Sequence, residues 1–407
     1  MQLSAESITH LLIQILVILV STRICGFILK CFGQPHVVGE MIAGILLGKS
    51  VLALLWPEGF GFLFPADSMR ALFYLAQIGL ICFMFVLGLE MKMSHLKGRI
   101  SVAAWVSPAS IVLPFLFGIL IAKFIYEGHG PQTYSAASFG LFMGIAMSIT
   151  AFPVLARILQ ERKLTNTPLG TMAITCAAVD DVSGWCLLAG ILGIVKSGNV
   201  ISAVQTFMFS IIYIIIMFKV IKPLIIHVTQ KDLLVRTLSW PAHLLVIAVL
   251  AASAAITELI GIHALFGAFL AGAIMPSNIL DRSKFIQTVA SVCTVALLPI
   301  FFVYTGIRTQ INLINGQELW LICGLIIVLA ITGKMLGSAL AARYAGMSWR
   351  ESWSLGALMN TRGLMELVIL NIGYDIGILS PQIFSMMTIM AIITTLMTGP
   401  LLTIFKN

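Results

Sequence analysis

Apolar residues fill almost the whole chain in runs of roughly 17 to 30 residues, and short polar breaks separate these runs. Runs of this length suit helices that cross the hydrocarbon core of a bilayer. They lack the strict alternation of a half-buried strand, so we expect helices throughout. The pattern predicts thirteen transmembrane spans, at about 8–31, 36–56, 68–90, 100–125, 133–160, 167–195, 200–222, 239–260, 262–278, 285–307, 318–343, 352–373 and 381–404.

Composition agrees with a polytopic integral membrane protein. The chain has 407 residues, of which 59% are hydrophobic and only 10% are charged, whereas soluble domains carry about 25% charged residues. The spans use nearly the whole length, so we expect no soluble regulatory domain. The net charge of +8 does not indicate nucleic-acid binding, because the basic residues lie in short loops beside the spans.

The basic loop residues predict the orientation in the membrane. One set of loops contains Lys30, Lys92, Lys97, Arg99, Arg157, Arg162, Lys163, Lys219, Lys222, Lys231, Arg236, Arg282, Lys284, Arg343, Arg350 and Lys406. The alternate set contains only Lys49, Arg70, Lys123, Lys196 and Arg308. By the positive-inside rule the first set is cytoplasmic. We therefore expect an outside N-terminus and a cytoplasmic C-terminus, in the inner (plasma) membrane of a bacterium.

Span six carries two adjacent carboxylates near its middle, Asp180 and Asp181, in the stretch TPLGTMAITCAAVDDVSGWCLLAG from Thr167 to Gly190. A single Asp at the centre of a membrane helix costs about 2.5–3.5 kcal/mol, so an acid at this depth indicates a functional site. The two like charges repel each other, which favours a pair that holds a proton or a cation. This is the minimum requirement for exchanging one for the other.

A lysine also lies deep in span eleven, where Lys334 is flanked by Gly333 and Gly337. The glycines let a neighbouring helix approach closely, and an ammonium at this depth needs a carboxylate partner. Neighbouring helical residues project about 100° apart, so Asp180 and Asp181 cannot face the same partner. We expect one of them to face Lys334 and the other to face the cavity.

Two spans contain helix breakers at comparable positions. In span five Pro153 follows Ser148 and Thr150, and in span twelve the run NTRG occupies residues 360–363. Irregular backbone at this depth is tolerated only inside protein or along a watery cavity. Interruptions at matching places in two halves are typical of a transporter site. Ser148, Thr150 and unwound main-chain carbonyls offer the oxygens that hard cations prefer.

The two halves of the chain also resemble each other. The second span, HVVGEMIAGILLG, is similar to the ninth, HALFGAFLAGAIMP, and the two interrupted spans fall at matching places. We expect residues 1–195 to form a first repeat of six spans, 196–236 a linker span with a cytoplasmic loop, and 237–407 a second repeat. The single linker span inverts the second repeat.

Further charged residues lie inside spans. Arg362 and Glu366 are four residues apart on one helix face, so we expect a structural ion pair that neutralises the crossing of the broken helices. Glu40 in span two is either structural or lies at the cavity mouth. No Cys and His cluster has zinc or copper spacing, so we expect no resident cofactor.

Five motifs follow one another along the chain: MSITAFPVLARIL, AAVDDVSGW, HALFGAFLAGAIMP, LLPIFFVYTGIRT and MNTRGLMELVILNIG. Together they resemble the monovalent cation:proton antiporter-2 family, the sodium/hydrogen exchanger-type membrane domain shared with Kef-like and plant cation/proton exchanger proteins. The resemblance covers essentially the whole chain. It implies an all-α membrane fold of about thirteen helices, with two inverted six-helix repeats and two crossing broken helices. It also implies a homodimer whose core domain moves like an elevator against a dimerisation domain, which would include spans one, two, eight and nine.

The resemblance also implies roles for single residues. Asp181 corresponds to the carboxylate that binds the ion and the proton, so Asp181 and Thr150 are the expected ligands of the transported cation. Asp180 corresponds to the carboxylate paired with a lysine, and Lys334 corresponds to that lysine. Ser148 and Thr150 correspond to the unwound part of the first broken helix.

The implied function is secondary active antiport of a monovalent cation and protons by alternating access. Lys334 favours the electrogenic sodium branch, in which two protons exchange for one ion, because Kef-like potassium systems commonly lack this lysine. A potassium/proton efflux system regulated by a separate partner stays an alternative, since the same oxygens serve both ions. An intramembrane aspartyl protease is disfavoured because it shares one proton between Asp residues on two helices. We therefore expect no enzyme.

Overall fold

The computed structural model describes residues 5–90, 100–165, 167–197, 200–235, 240–261, 263–276 and 284–406, and these residues are almost all helical. The first half comprises α1 (Ala5–Cys31), α2 (His36–Leu47), α3 (Leu52–Leu55), α4 (Pro57–Leu63), α5 (Ala66–Glu90), α6 (Ile100–His129), α7 (Ala136–Ser148), α8 (Phe152–Glu161) and α9 (Pro168–Ser197). The second comprises α10 (Val200–Ile216), α11 (Lys222–Val235), α12 (Trp240–Ile260), α13 (Ala264–Ile274), α14 (Lys284–Val292), α15 (Leu298–Arg308), α16 (Gly316–Tyr344), α17 (Trp349–Met359), α18 (Leu364–Asp375) and α19 (Pro381–Lys406).

Within the described residues, ten helical stretches are long and apolar enough to cross a membrane. Each overlaps one of the expected spans, and three of them, Val102–His129, Val204–Val228 and Lys284–Leu313, extend several residues beyond the expected end. The other three expected spans correspond to the shorter helix α13 and to two interrupted pairs, α7 with α8 and α17 with α18. The total of thirteen crossings stays a prediction. The loop cations Lys92, Lys97, Arg99, Arg236 and Arg282, and the predicted boundary at 236–237, lie outside the described residues.

Large apolar side chains remain exposed along the long helices. Phe27 of α1 is 69% exposed, and Leu116 of α6 and Leu325 of α16 are also exposed. In water such a surface would drive association, whereas lipid tails make it the outer face of a membrane protein. The chain is an integral membrane protein.

Both expected helix breaks are present. Helix α7 ends at Ser148 and α8 begins at Phe152, with Pro153 in its first turn, where the missing N–H of proline costs no helical hydrogen bond. Helix α17 ends at Met359 and α18 begins after Gly363, whose φ of 150° favours glycine. The two unwound segments meet, since the N–H of Ala151 donates to the carbonyl of Thr361 at 3.0 Å.

The helices form two compact units. The first contains Met1–Arg70, His95–Gly184 and Phe302–Asn407, and so holds both broken helices, Lys334 and the Asp pair. The second contains Ala71–Ser94 and Trp185–Phe301. Within the second unit, α5 and α13 approach so closely that a Cβ on Gly88 would lie 2.2 Å from the carbonyl oxygen of Phe269. The inverted repeats predicted from the sequence stay a prediction.

Glycine contacts also bring α2 and α15 together in the first unit. A Cβ on Gly306 would lie 2.5 Å from the carbonyl carbon of Gly44. We expect Gly306→Ala to lower the free energy of unfolding by about 1–3 kcal/mol, because backbone atoms cannot yield as a side chain would. Gly324 of α16 is the matched control, since a Cβ there meets nothing within 4 Å. Gly324→Ala should be neutral or add up to about 1 kcal/mol. Thermal unfolding in detergent measures both, and equal midpoints would contradict the packing argument.

Candidate functional site

The carboxylate of Asp180 lies in a fully buried cluster of donors. Lys334 Nζ lies 3.2 Å from Asp180 Oδ2, and both side chains are 0% exposed. Ser110 Oγ donates to the same oxygen at 2.6 Å and Thr150 Oγ1 at 2.8 Å, while Ser107 Oγ donates to Oδ1. A buried ion pair is stable only when further hydrogen bonds replace the lost water. These four donors meet that condition, so Asp180 and Lys334 form a buried ion pair whose carboxylate is fully hydrogen-bonded.

Lys334 uses its three protons on three acceptors. Besides Asp180, its ammonium donates to the main-chain carbonyls of Ser110, at 3.0 Å, and of Ser148. The neighbouring glycines let α16 pack against α6: a Cβ on Gly337 would lie 2.8 Å from a carbonyl oxygen of α6, and one on Gly333 would lie 3.0 Å from a Cα atom there. The close packing of α16 on α6 places the lysine where it reaches both the acid and the end of α7.

Asp181 has a different environment from its neighbour. Only 3% of the residue is exposed, and the N–H of Phe152 donates to its carboxylate. Phe152 begins α8, so the acid lies at the positive end of that helix. Its Oδ1 atom has no hydrogen-bond partner in the part of the chain that the structure describes. A buried carboxylate oxygen without a partner is an acceptor available to a proton or to a cation.

Two cations hold the end of α7, where helical carbonyls lack partners. Arg362 Nη1 donates to the carbonyl of Ala146 at 3.3 Å, and its Nη2 donates to the carbonyl of Met147. Lys334 takes the next carbonyl, that of Ser148. The positive charges therefore oppose the negative end of the helix dipole inside the protein. Arg362 Nη1 also pairs with Glu366 Oε1 at 3.2 Å, with both side chains buried.

Comparison with known proteins adds to this geometry. The family model for the transmembrane sodium/hydrogen exchanger matches residues 16–406. The chain belongs to this family. Its members include antiporters, which are transporters. The exchanger is also similar in fold to the sodium proton antiporter MjNhaP1 from Methanocaldococcus jannaschii at pH 8, with a TM-score of 0.71, 16% sequence identity and coverage of 97% of this chain and 96% of that chain.

Curated relatives extend across bacteria, plants and fungi. The exchanger is 42% identical over 404 residues to the Na(+)/H(+) antiporter NhaS4 of Synechocystis, covering 98% of each chain. It is 38% identical to Cation/H(+) antiporter 17 of Arabidopsis thaliana, of which it spans 48%. It is 30% identical to K(+)/H(+) antiporter 1 of Saccharomyces cerevisiae, of which it spans 46%.

The site residues predicted from the sequence of the exchanger differ in how they contact the buried cluster around Asp180. Thr150 touches the cluster, but it donates to Asp180 and not to Asp181. The hydroxyl of Ser148 donates to the carbonyls of Ile111 and Gly144, so only its main-chain carbonyl reaches Lys334. Asp181, which we expected to face a cavity, is enclosed in this conformation.

The remaining predicted residue, Glu40, lies on α2, and the two residues that the sequence reasoning missed lie on α6. Glu40 is partly exposed. The sequence reasoning did not identify Ser107 and Ser110, which both bind the Asp180 carboxylate. The available signal was a pair of hydroxyls three residues apart on one face of an otherwise apolar span, a spacing that makes a polar helix face.

The Arg362–Glu366 pair gives a prediction that separates structure from transport. In Glu366→Gln, Arg362 keeps the two α7 carbonyls, so we expect a loss of about 1–3 kcal/mol in the free energy of unfolding. Exchange activity should persist in the folded protein. Glu318→Gln on the exposed first turn of α16 is the control, expected within about 0.5 kcal/mol of wild type. Lost exchange at wild-type stability would show instead that Glu366 takes part in transport.

Proposed function

We propose that this exchanger is a secondary active antiporter that exchanges Na⁺ for protons by alternating access, with cation and proton competing for Asp181. One observation carries the proposal. Asp180 is saturated by Lys334 and three hydroxyls, whereas the adjacent Asp181 keeps an unpartnered, buried oxygen beside the N-terminus of α8. A buried carboxylate with one oxygen that accepts no hydrogen bond is stabilised by whichever positive species reaches it, a proton or a cation.

The site offers oxygen ligands, and oxygen is the ligand type that a hard cation prefers. Asp181 supplies a carboxylate, and the hydroxyl of Thr150, which donates to the adjacent Asp180, supplies lone pairs at the crossing of the broken helices. Both amide atoms of Asn360 are also buried without a partner among the described residues. By extension of the rule for hard cations, such a set suits Na⁺ as the transported substrate. The name of the Synechocystis relative, a Na(+)/H(+) antiporter, agrees with this choice.

Alternating access follows from the burial of the acid. Asp181 is 3% exposed, so a cation cannot exchange with water on either side without a conformational change. In the proposed cycle the segment carrying the broken helices moves as one body against the rest of a homodimer, which exposes the acid to each side in turn. We place the N-terminus outside and the C-terminus in the cytoplasm of a bacterial inner membrane, as the loop charges favour. No enzymatic activity and no resident cofactor form part of this proposal.

Transport is measured with purified protein in liposomes that contain a pH-sensitive dye. The assay tests which cation is transported and whether it moves in the direction opposite to protons. An imposed Na⁺ gradient should move protons in the opposite direction, and Li⁺, K⁺ and Rb⁺ at equal concentration and ionic strength complete the series. We expect Na⁺ to move the most protons. No cation-dependent proton movement with any of the four ions would refute the antiporter proposal.

A K⁺/H⁺ antiporter is the second candidate. One relative, from Saccharomyces cerevisiae, is named a K(+)/H(+) antiporter, and the exchanger spans 46% of its length. The same carboxylate and hydroxyl oxygens accept either ion, so the cluster alone does not select Na⁺. A larger response to K⁺ than to Na⁺ in the liposome series would transfer the proposal to potassium.

A further inference from the structure

A cleft of about 240 Å³ lies in the first unit, and its lining does not include Asp180, Asp181 or Lys334. It is bounded by the loop between α1 and α2, by the end of α8 and by the last turns of α19, and its lining includes Lys30, Gly33, Gln34, Arg162 and Gly399. We propose that this cleft binds a phosphate group, supplied by an anionic lipid headgroup or by free inorganic phosphate.

Two cations, Lys30 and Arg162, line the cleft. Lys30 is exposed in the last turn of α1, and Arg162 follows α8 and donates from Nη1 to Thr403 Oγ1 at 3.2 Å. Neither forms an ion pair with a carboxylate whose position the structure describes. The guanidinium keeps further N–H groups in a planar fork that matches phosphate oxygens. The charge of the cleft therefore favours an anion.

Neutral donors add to the two cations. Helix α2 begins at His36, directly after Pro35 in the lining, so the positive end of this twelve-residue helix adjoins the cleft. The Oε1 atom of Gln34 is buried without a hydrogen-bond partner among the described residues. Gln34 also belongs to the lining of the cleft.

The backbone keeps the cleft open at two glycines. Gly33 has a φ of 69°, and a Cβ on it would meet nothing within 4 Å, so the turn between α1 and α2 adopts a conformation that favours glycine beside free space. Gly399 lies on α19, where a Cβ would lie 2.8 Å from Arg162 Nη2. The missing side chain of Gly399 thus makes room for the guanidinium in its present position.

The volume of the cleft and its predicted position on the cytoplasmic side of the membrane limit which ligands it can bind. The volume of about 240 Å³ is below the roughly 300–1,000 Å³ of pockets for drug-sized ligands. A phosphate or a phosphodiester headgroup fits this volume. Lys30 and Arg162 belong to the loops that the charge pattern assigns to the cytoplasmic side, where anionic lipid headgroups attract basic residues.

Thermal unfolding of the full chain in a neutral detergent tests the site. Phosphatidylglycerol, phosphatidylcholine and inorganic phosphate are titrated separately at constant ionic strength, and native mass spectrometry counts the bound lipids. We expect a saturable rise in midpoint with phosphatidylglycerol or with phosphate, and none with phosphatidylcholine. The double variant Lys30→Gln, Arg162→Gln should raise the half-saturating concentration at least about tenfold, because two charge-assisted contacts are lost.

Two further variants make the test specific. Lys163→Gln removes an exposed charge that neighbours Arg162 but does not line the cleft, and it should leave the half-saturating concentration unchanged. Gly399→Ala keeps both charges but displaces the guanidinium, so it should weaken binding even if the double variant does not fold.

The outcomes identify the source of the phosphate. Saturation by phosphatidylglycerol alone assigns a lipid headgroup, and saturation by inorganic phosphate as well assigns the bare anion. The absence of saturation with both ligands would overturn the proposal. Equal weakening by Lys163→Gln and by the double variant would overturn it too, because it would show attraction to surface charge in general. These readouts do not depend on exchange activity.

Discussion

Asp181→Asn should reduce cation-driven proton movement in liposomes to the leak of vesicles without protein. The amide keeps the shape of the side chain and still accepts a hydrogen bond from the N–H of Phe152. It cannot take up a proton or carry the negative charge that holds a cation. Since both halves of the exchange need that charge, neither substrate should drive the other. The protein should fold normally, because the substitution removes an incompletely bonded buried carboxylate.

Asp375→Asn provides the matched control for this variant. Asp375 ends α18 and pairs with Arg308 at the surface, with 41% of its side chain exposed. The Asp375 carboxylate is exposed and Arg308 keeps its hydrogen bond to Asn371, so the loss should cost about 0–1 kcal/mol and Asp375→Asn should retain exchange. Wild-type proton flux in Asp181→Asn would remove Asp181 from the proposed role, whatever the control does. Equal loss of flux in both variants would show that the assay reports general damage.

Lys334→Ala should lower the free energy of unfolding by about 3–5 kcal/mol, because it leaves the ionised Asp180 buried without its partner. The change also removes a donor from the carbonyls of Ser110 and Ser148, the second of which lies at the end of α7. Asp180→Asn in the same background should recover much of the loss, since an amide needs no countercharge. Thermal unfolding of the wild type, both single variants and the double variant gives the coupling energy of the pair.

The transport behaviour of Lys334→Gln gives a separate readout. If the ammonium takes part in the cycle, as the resemblance implies, its removal alters the charge moved per turnover. Currents recorded on a solid-supported membrane after a sodium jump measure that charge. Equal current for wild type and variant at equal protein density would restrict Lys334 to a structural role. A coupling energy near zero in the unfolding cycle would contradict the pairing itself.

The helices and their breaks could be predicted from the sequence because each depends on local rules. Apolar length alone locates the ten long spans, and Pro153 and Gly363 mark where α8 and α18 begin. The depth of Lys334 required an acid within reach, and the structure places Asp180 there. Adjacent helical side chains point in directions about 100° apart, so Asp180 and Asp181 also have different surroundings.

The hydrogen-bond partners depend on tertiary packing and could not be predicted in the same way. Ser107 and Ser110 look like ordinary small residues of an apolar span until α6 packs against α9 and α16. Arg362 was expected to bind Glu366, and its further contacts with the α7 carbonyls require the crossing of two chain segments far apart in sequence. The sequence also predicts that Asp181 faces a cavity, whereas the carboxylate is buried in the conformation that the structure describes.

Proton release on cation binding tests the central claim most directly. Purified protein in detergent is titrated with NaCl in weakly buffered solution, with choline chloride as the ionic-strength control, and a pH dye reports the protons released. Ligand carboxylates must lose their protons to bind a cation, so the account predicts about one to two protons released per Na⁺ bound. Asp181→Asn should release none. Saturable Na⁺ binding to the wild type without proton release would contradict competition at Asp181.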